Sequence, residues 1–293
     1  MKRKKTGFTM VEILTVVGII AILVAVLIPA LTMVRRIAKE TQQKAQLTAI
    51  DLALIAFKAD YGDYPPSDWP DLNPPRNDYC GAQKLAEALL GWDLLGFHPK
   101  SAWRSDGRDE DNALVYDLAG TDEENEENLR ARRGPYLEFA TTNAFRLDDL
   151  YTGPLGTGPL APDTFVICDV FGTKKIILAG GKTVRAGTPI LYYRADTSKK
   201  TIDPPVAVTK RIYNVYDNLP IVNLKWQEDR KKDPSKDQPP LMDPGGMYSF
   251  FYEEYIRDPK ITAMKWPYRP DSYILISAGA DGLYGTSDDI CNF

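Results

Sequence analysis

Two places in the chain put carboxylates where they can do chemistry. Glu12, in KRKKTGFTMVEIL, stands at the doorway of the apolar run VVGIIAILVAVLIPAL. A charge beside lipid is costly, so its presence points to a function and to a compensating positive group. Near the other end, Asp281, Asp288 and Asp289 fall within nine residues of one another in ADGLYGTSDDI, separated by glycines that permit tight turns. Calcium takes about six to eight oxygens from carboxylates, hydroxyls and backbone carbonyls, and this loop supplies such groups. The spacing is not that of an EF-hand, which is longer and ends in glutamate. The plainer alternative is a solvated acidic turn.

Other reactive residue types are sparse. His98 is the single histidine, next to Pro99, and no nucleophile signature accompanies it. Neither a P-loop nor G-x-G-x-x-G is present. The expectation is a protein that is not an enzyme. Cys80, Cys168 and Cys291 are far apart and form no C-x-x-C, which argues against a metal site built from them. One disulfide plus a free thiol, or three small buried hydrophobes, both remain open.

The formal net charge is −4, and Lys2, Arg3, Lys4 and Lys5 sit at the extreme amino end, so the remaining body is acidic. No basic cluster occurs outside that leader, so a nucleic-acid partner is not expected. A chain of 293 residues can bury a sizeable core.

The elements that position these residues follow from spacing. From Ile13 to Val34 no side chain is charged, and at 1.5 Å per residue that run covers roughly 30 Å, enough to cross a bilayer. A secretory signal peptide has a shorter apolar run with its small-residue cleavage site after it. Here the small residue, Gly7, comes before it. Beyond the span, Val34, Ala38, Thr41, Ala45, Thr48, Leu52, Ile55 and Ala59 recur by threes and fours, predicting an amphipathic helix whose stripe packs on its own domain. Tyr61-Gly62-Asp63-Tyr64-Pro65-Pro66 ends it.

Gly7-Phe8-Thr9-Met10-Val11-Glu12, with its basic leader and apolar helix, resembles the signal of type IV pilins and type II secretion pseudopilins. The resemblance implies that prepilin peptidase cuts after Gly7 and methylates the new amino group of Phe8. Glu12 then matches the glutamate of the mature helix, and Pro29 the proline that commonly interrupts it. The stretch DYGDYPPSD and the loop carrying Asp281, Asp288 and Asp289, with Ser277 before it, are similar to the major pseudopilin. They imply a calcium site with those four residues as ligands. The implied fold is α+β and pilin-like: a long N-terminal helix packed on a C-terminal antiparallel β-sheet. The boundaries expected are a cleaved leader 1–7, a helix 8–61 (transmembrane half 8–34, amphipathic half 35–61) and a globular domain 62–293 with insertions.

The implied function is a structural subunit of a type II secretion pseudopilus or related pilus-like fibre. Its partners are copies of itself, other pilins or pseudopilins, prepilin peptidase and the inner-membrane assembly platform. It is anchored once in the bacterial inner membrane with the body in the periplasm, or incorporated into a fibre at the cell surface. The body is long for a major pseudopilin. That motivates an alternative from another class, a pilin-anchored module whose enlarged domain binds a ligand or has catalytic activity. A plain signal anchor with Glu12 at its boundary would leave Gly7-Phe8 unexplained.

In the body, CGAQKLAEALLGW reads as a helix and TDEENEENLRARR as a solvated helix or loop. Residues 164–170, 175–178, 189–194 and 273–279 read as strands, with a turn at Gly180-Gly181. KKDPSKDQPP reads as a surface loop.

Overall fold

The computed structural model describes residues 9–69, 79–139, 142–153, 156–178, 180–203, 207, 210–235, 238–242 and 248–293. Helix α1 runs Met10–Tyr61, continuous through Pro29. The chain divides into two compact units at Gln42/Gln43. In the first, the apolar side chains of α1 are exposed throughout, from Met10 to Ile37. Uncovered, helical and without a charged side chain from Ile13 to Val34, this segment is what a bilayer accommodates without unpaired backbone groups.

The second unit is α+β. Its elements in chain order begin with the last turns of α1, then α2 (Gly81–Leu90), α3 (Asp122–Ala131), β1 (Ala144–Arg146) and α4 (Leu147–Leu150). There follow β2 (Phe165–Ile167), β3 (Lys174–Ile177), β4 (Thr183–Ala186), β5 (Leu191–Arg194), α5 (Leu219–Lys232), a π-helical turn (Phe250–Tyr255), β6 (Tyr273–Ser277) and β7 (Ile290–Cys291). All the strand pairs are antiparallel: β1 with β2, β3 with β4, and a three-stranded sheet β5-β6-β7. Long helix and small antiparallel sheets together agree with the expected pilin-like class.

The sheet β5-β6-β7 is buried on both faces, and the two-residue alternation of β6 shows how. Tyr273 and Leu275 face one apolar cluster together with Tyr192, Ile190 and Ile290; Leu47, Ile50, Leu54 and Phe57 of α1 fill it. Ile274 and Ile276 face a second cluster with Leu191, Tyr193, the α5 residues Ile221, Val222 and Leu224, and Phe251 and Tyr252. Helix α2 contributes Leu85 and Leu89 to the first cluster and Ala82 to the second. Polar bonds fix the register of α1: Gln43 Oε1 accepts from Val170 N (2.9 Å) and Gln46 donates to the Cys168 carbonyl (2.9 Å).

The packed face of α1 is not the one its spacing predicts. Ala45, Thr48, Leu52, Ile55 and Ala59 are exposed, with Leu52 at 64% and Ile55 at 55%, while Ile50 and Leu54 are at 0%. The face on the sheet is Gln43, Leu47, Ile50, Ala53, Leu54 and Phe57. It carries the larger side chains, including the one aromatic ring that reaches Phe97, Trp103 and Tyr136. Burial follows apolar area rather than regularity of spacing, so the bulkier face wins the sheet.

Helices α2 and α3 and strands β2, β3, β5 and β6 overlap the segments the sequence indicates, and β1, β4 and α5 are among the elements additional to them. Helix α3 is capped by Thr121 and Glu124 and buries no residue. The turn at Gly181 closes on Leu178 with a positive φ. KKDPSKDQPP is shorter as a loop than expected, because α5 extends to Lys232; its residues 236 and 237 lie outside the described residues.

Candidate functional site

Thr9, Met10, Val11 and Glu12 form a reciprocal helix cap. Thr9 donates to Glu12 Oε2 twice, from its backbone N–H (2.8 Å) and from its hydroxyl (2.7 Å), and Glu12 N–H donates back to Thr9 Oγ1 (3.3 Å). The pattern T-x-x-E is a capping box, a local signal that hydrophobic periodicity does not contain. It gives Glu12 a role within its own chain: it satisfies an N–H that has no partner in the first turn and places negative charge at the positive end of the helix dipole. Both bonds from Thr9 fall on one carboxylate oxygen. Gly7 and Phe8, expected to flank the cleavage point, lie outside the described residues. Pro29 lies inside α1, and its carbonyl accepts the Thr32 hydroxyl (2.8 Å).

The carboxyl-terminal loop gathers its aspartates around Thr286. Asp288 Oδ2 accepts the N–H groups of Ala280 (2.7 Å) and Asp281 (3.0 Å), and Asp288 Oδ1 accepts the Thr286 hydroxyl (2.6 Å). Asp281 Oδ1 accepts from Leu283 N–H (2.8 Å). Asp281 is held above the usual carboxylate range by partial burial, and the negative charge of Asp288 adds to this. Asp288 lies below the usual range: burial opposes ionisation, but the bonds from Thr286, Asp281 and Ala280 outweigh it.

Asp289 Oδ2 accepts from Gly285 N–H (2.7 Å) and from the hydroxyl of Tyr255, and its Oδ1 accepts the Thr286 hydroxyl (3.4 Å); burial pushes it up to about 7. Ser277 is fully buried in β6, its hydroxyl 3.4 Å from Gly279 N. Of the four expected ligands, Asp281, Asp288 and Asp289 border Thr286, and Ser277 lies buried in β6. Among the described residues no group of three or more His, Cys, Asp or Glu side chains is arranged to hold a metal. Gly279 makes the loop possible: its φ is +64°, and a Cβ there would lie 2.2 Å from the Asp288 carbonyl.

Residues on both sides of the loop bond to α1. Asp51 Oδ1 accepts from Tyr273 Oη (2.8 Å) and from Asn292 Nδ2 (3.0 Å), and Asn292 Oδ1 accepts from Leu275 N–H (2.9 Å). His98 is buried. Its Nδ1 accepts from Lys100 N–H (3.2 Å) and its ring meets Tyr116 edge-on; burial, with Arg132 and Lys100 adding, lowers its pKa. Cys80 and Cys168 are buried and Cys291 half-buried, none of them in a disulfide.

Comparison with known families places the amino end. Residues 2–28 match the model of the prokaryotic N-terminal methylation motif. The chain carries the hallmark of type IV pilins and pseudopilins. This type IV pilin-like motif marks a protein processed by prepilin peptidase and assembled with pilins. Of the described helices, α1 is long and apolar enough to cross a membrane, and with the motif it fits an inner-membrane anchor. The body after residue 28 is outside the matched region, and no curated protein or solved structure matches the chain significantly.

Proposed function

We propose that the chain is a structural subunit of a type II secretion pseudopilus or a related type IV pilus-like fibre, with its body on the periplasmic side. The observation that carries this reading is Glu12 inside the methylation motif, at the mouth of an exposed apolar helix. Cleavage after Gly7 creates a positive amino group at Phe8, about one helical turn from Glu12. In a lone subunit Glu12 caps its own helix and both charges sit at the headgroup level. When subunits pack side by side the charges become buried, and an unpaired one costs several kcal/mol. Pairing Glu12 with the amino group of a neighbour removes that cost in one axial register only. The partners are other copies, further pilins or pseudopilins, and the assembly platform that extracts them.

The test separates charge from capping. Glu12→Gln retains the capping acceptor and removes the charge. The variant is expected to insert and to be cleaved, yet to be absent from sheared fibres; normal incorporation would refute the pairing.

Calcium at the carboxyl-terminal loop forms part of the same proposal. The facing carboxylates of Asp281 and Asp288, whose mutual repulsion a cation relieves, support it, with Thr286 as neighbouring oxygen donor. A bound cation would supply charge neutralisation and hold the loop that follows β6, with Asp289 and Ser277 completing the proposed ligand set. A second reading, a pilin-anchored ligand-binding module, is favoured by a polar cavity of about 340 Å³ lined by Arg194, Arg211, Asp68, Asp196 and Asp217. A monodisperse, non-assembling protein that binds a small ligand would turn the balance to it.

A further inference from the structure

The cavity of about 340 Å³ opens where residues 66–68 meet the end of β5 and the chain beyond it. Its wall is built around two guanidinium groups. Arg211 is buried, 2% exposed, and its guanidinium carbon lies 4.1 Å from the centre of the Tyr252 ring. A guanidinium does not shed its proton on burial as an ammonium group can, so this wall keeps its charge at any working pH. Arg194, on β5, pairs with Asp63 through Nη2, which leaves Nε and Nη1 as donors. Asn214 adds an amide: its Oδ1 accepts from Tyr216 N–H (3.1 Å), and its Nδ2 is left as a donor on the wall.

The acids around the cavity are of two kinds. Asp68 meets Lys84 at 3.0 Å and Asp196 meets Lys199 at 3.8 Å, so each has a cation of its own. Asp217 is bonded instead to neutral groups, the Ser67 hydroxyl (2.6 Å) and Trp69 N–H (3.3 Å). The titratable groups around it are Asp68 and Lys84, Tyr193 of β5 and Tyr252 of the π-helical turn; Arg194, Arg211 and Asp196 line the same cavity. Burial holds Asp217 in its acid form up to about pH 7. While it keeps the proton, Arg194, Arg211, Lys84 and Lys199 face three ionised acids, Asp63, Asp68 and Asp196. The cavity then carries surplus positive charge. Ionisation of Asp217 cancels it.

We propose that this cavity binds a small oxyanion, a carboxylate or a sulfate- or phosphate-type group, through Arg194, Arg211 and Asn214. The parallel N–H groups of a guanidinium match two oxygens of such a group. A cavity of this size holds the anionic head of a ligand with room for a few further atoms. Asp217 acts as the gate, because its ionised form places a like charge in the wall. The inference rests on the ligand-binding reading of this cavity and names what the cavity takes; an assembling subunit can carry it equally.

Isothermal titration calorimetry of the detergent-solubilised full chain tests it, at constant ionic strength with chloride as the balancing anion. The probes are sulfate and acetate, which keep their charge between pH 6 and pH 8, with methylammonium and glucose as cationic and neutral controls. At pH 6 an anion is expected to bind and the controls are not; sulfate alone marks a tetrahedral oxyanion, acetate alone a carboxylate. Arg194→Gln is expected to weaken that binding by about tenfold. A carboxyl titrating at about 7 is about nine-tenths protonated at pH 6 and about one-tenth at pH 8, so wild-type affinity is expected to fall about tenfold between them. Asp217→Asn is expected to bind equally at both. Binding of methylammonium or glucose with neither anion would overturn the oxyanion and leave the ligand-binding reading intact. No heat from any of the four would overturn both. Anion binding unchanged in Arg194→Gln would place the anion elsewhere and overturn the inference, and equal wild-type affinity at the two pH values would overturn the gate.

Discussion

Asp217 gives the body of the protein a pH dependence that can be worked from the structure. The side chain is buried: Oδ2 accepts from the Ser67 hydroxyl (2.6 Å) and Oδ1 from Trp69 N–H (3.3 Å), while Ser67 Oγ also accepts from Arg194 N–H (2.9 Å). Burial outweighs these bonds and pushes the carboxyl from its ordinary 3.8 up to about 7. A raised value means the folded form holds its proton while the unfolded form has lost it. The associated stability is therefore fully present below the unfolded value and is lost as pH rises through the folded one. Each unit is worth about 1.4 kcal/mol, so the interval amounts to about 4 kcal/mol once pH exceeds 7.

Asp217→Asn keeps the shape and an acceptor for Ser67 but has no proton to lose. Urea unfolding of the detergent-solubilised chain and of the variant, at pH 5 and at pH 8, isolates the effect. The wild-type protein is expected to lose about 2–3 kcal/mol relative to the variant between those two pH values. An equal stability difference at both would refute the reasoning, because it would show that Asp217 is ionised throughout.

Three further outcomes follow from the packing and the loop. Leu54→Ala, at a fully buried position on the sheet-facing side of α1, is expected to cost about 3 kcal/mol, whereas Leu52→Ala on the exposed side should stay within about 0.5 kcal/mol; urea midpoints compare them. Gly279→Ala forces a Cβ against the Asp288 carbonyl at a positive φ, and a loss of at least about 2 kcal/mol is expected by the same measurement. Calcium is expected to raise the melting temperature of the wild-type chain but not of Asp288→Asn, as read by differential scanning fluorimetry with and without chelator; equal shifts would remove the site.

The sequence was most informative where a pattern has one physical cause. Apolar length without charge left α1 no ordinary soluble reading, and the Tyr61–Pro66 breakers located its end at the observed residue. Strands β5 and β6 were legible from their β-branched and aromatic runs, because both faces are buried and the runs are nearly continuous. The regular stripe on α1 is exposed rather than packed on its own domain, since spacing reports that a face is apolar and not what covers it. Helix α5 was missed: Leu219–Lys232 has too few apolar positions to show a period and is held by three residues, Ile221, Val222 and Leu224. Strands β1 and β4, AFR and TVRA, each carry a single large apolar side chain and so present no apolar run. The Thr9–Glu12 cap was visible as T-x-x-E, but Glu12 drew notice only as a charge. In the carboxyl-terminal loop the three aspartates are legible, but the additional bond of Asp289 to Tyr255 depends on a side chain 34 positions away.

The central claim is that the basic leader is removed so that a positive amino group comes to lie one turn from Glu12. Intact-mass spectrometry of the protein purified from its own membranes tests this most directly. The account predicts a chain beginning at Phe8, lacking residues 1–7 and heavier by one methyl group. A functional protein that retains Met1 to Gly7 would contradict it.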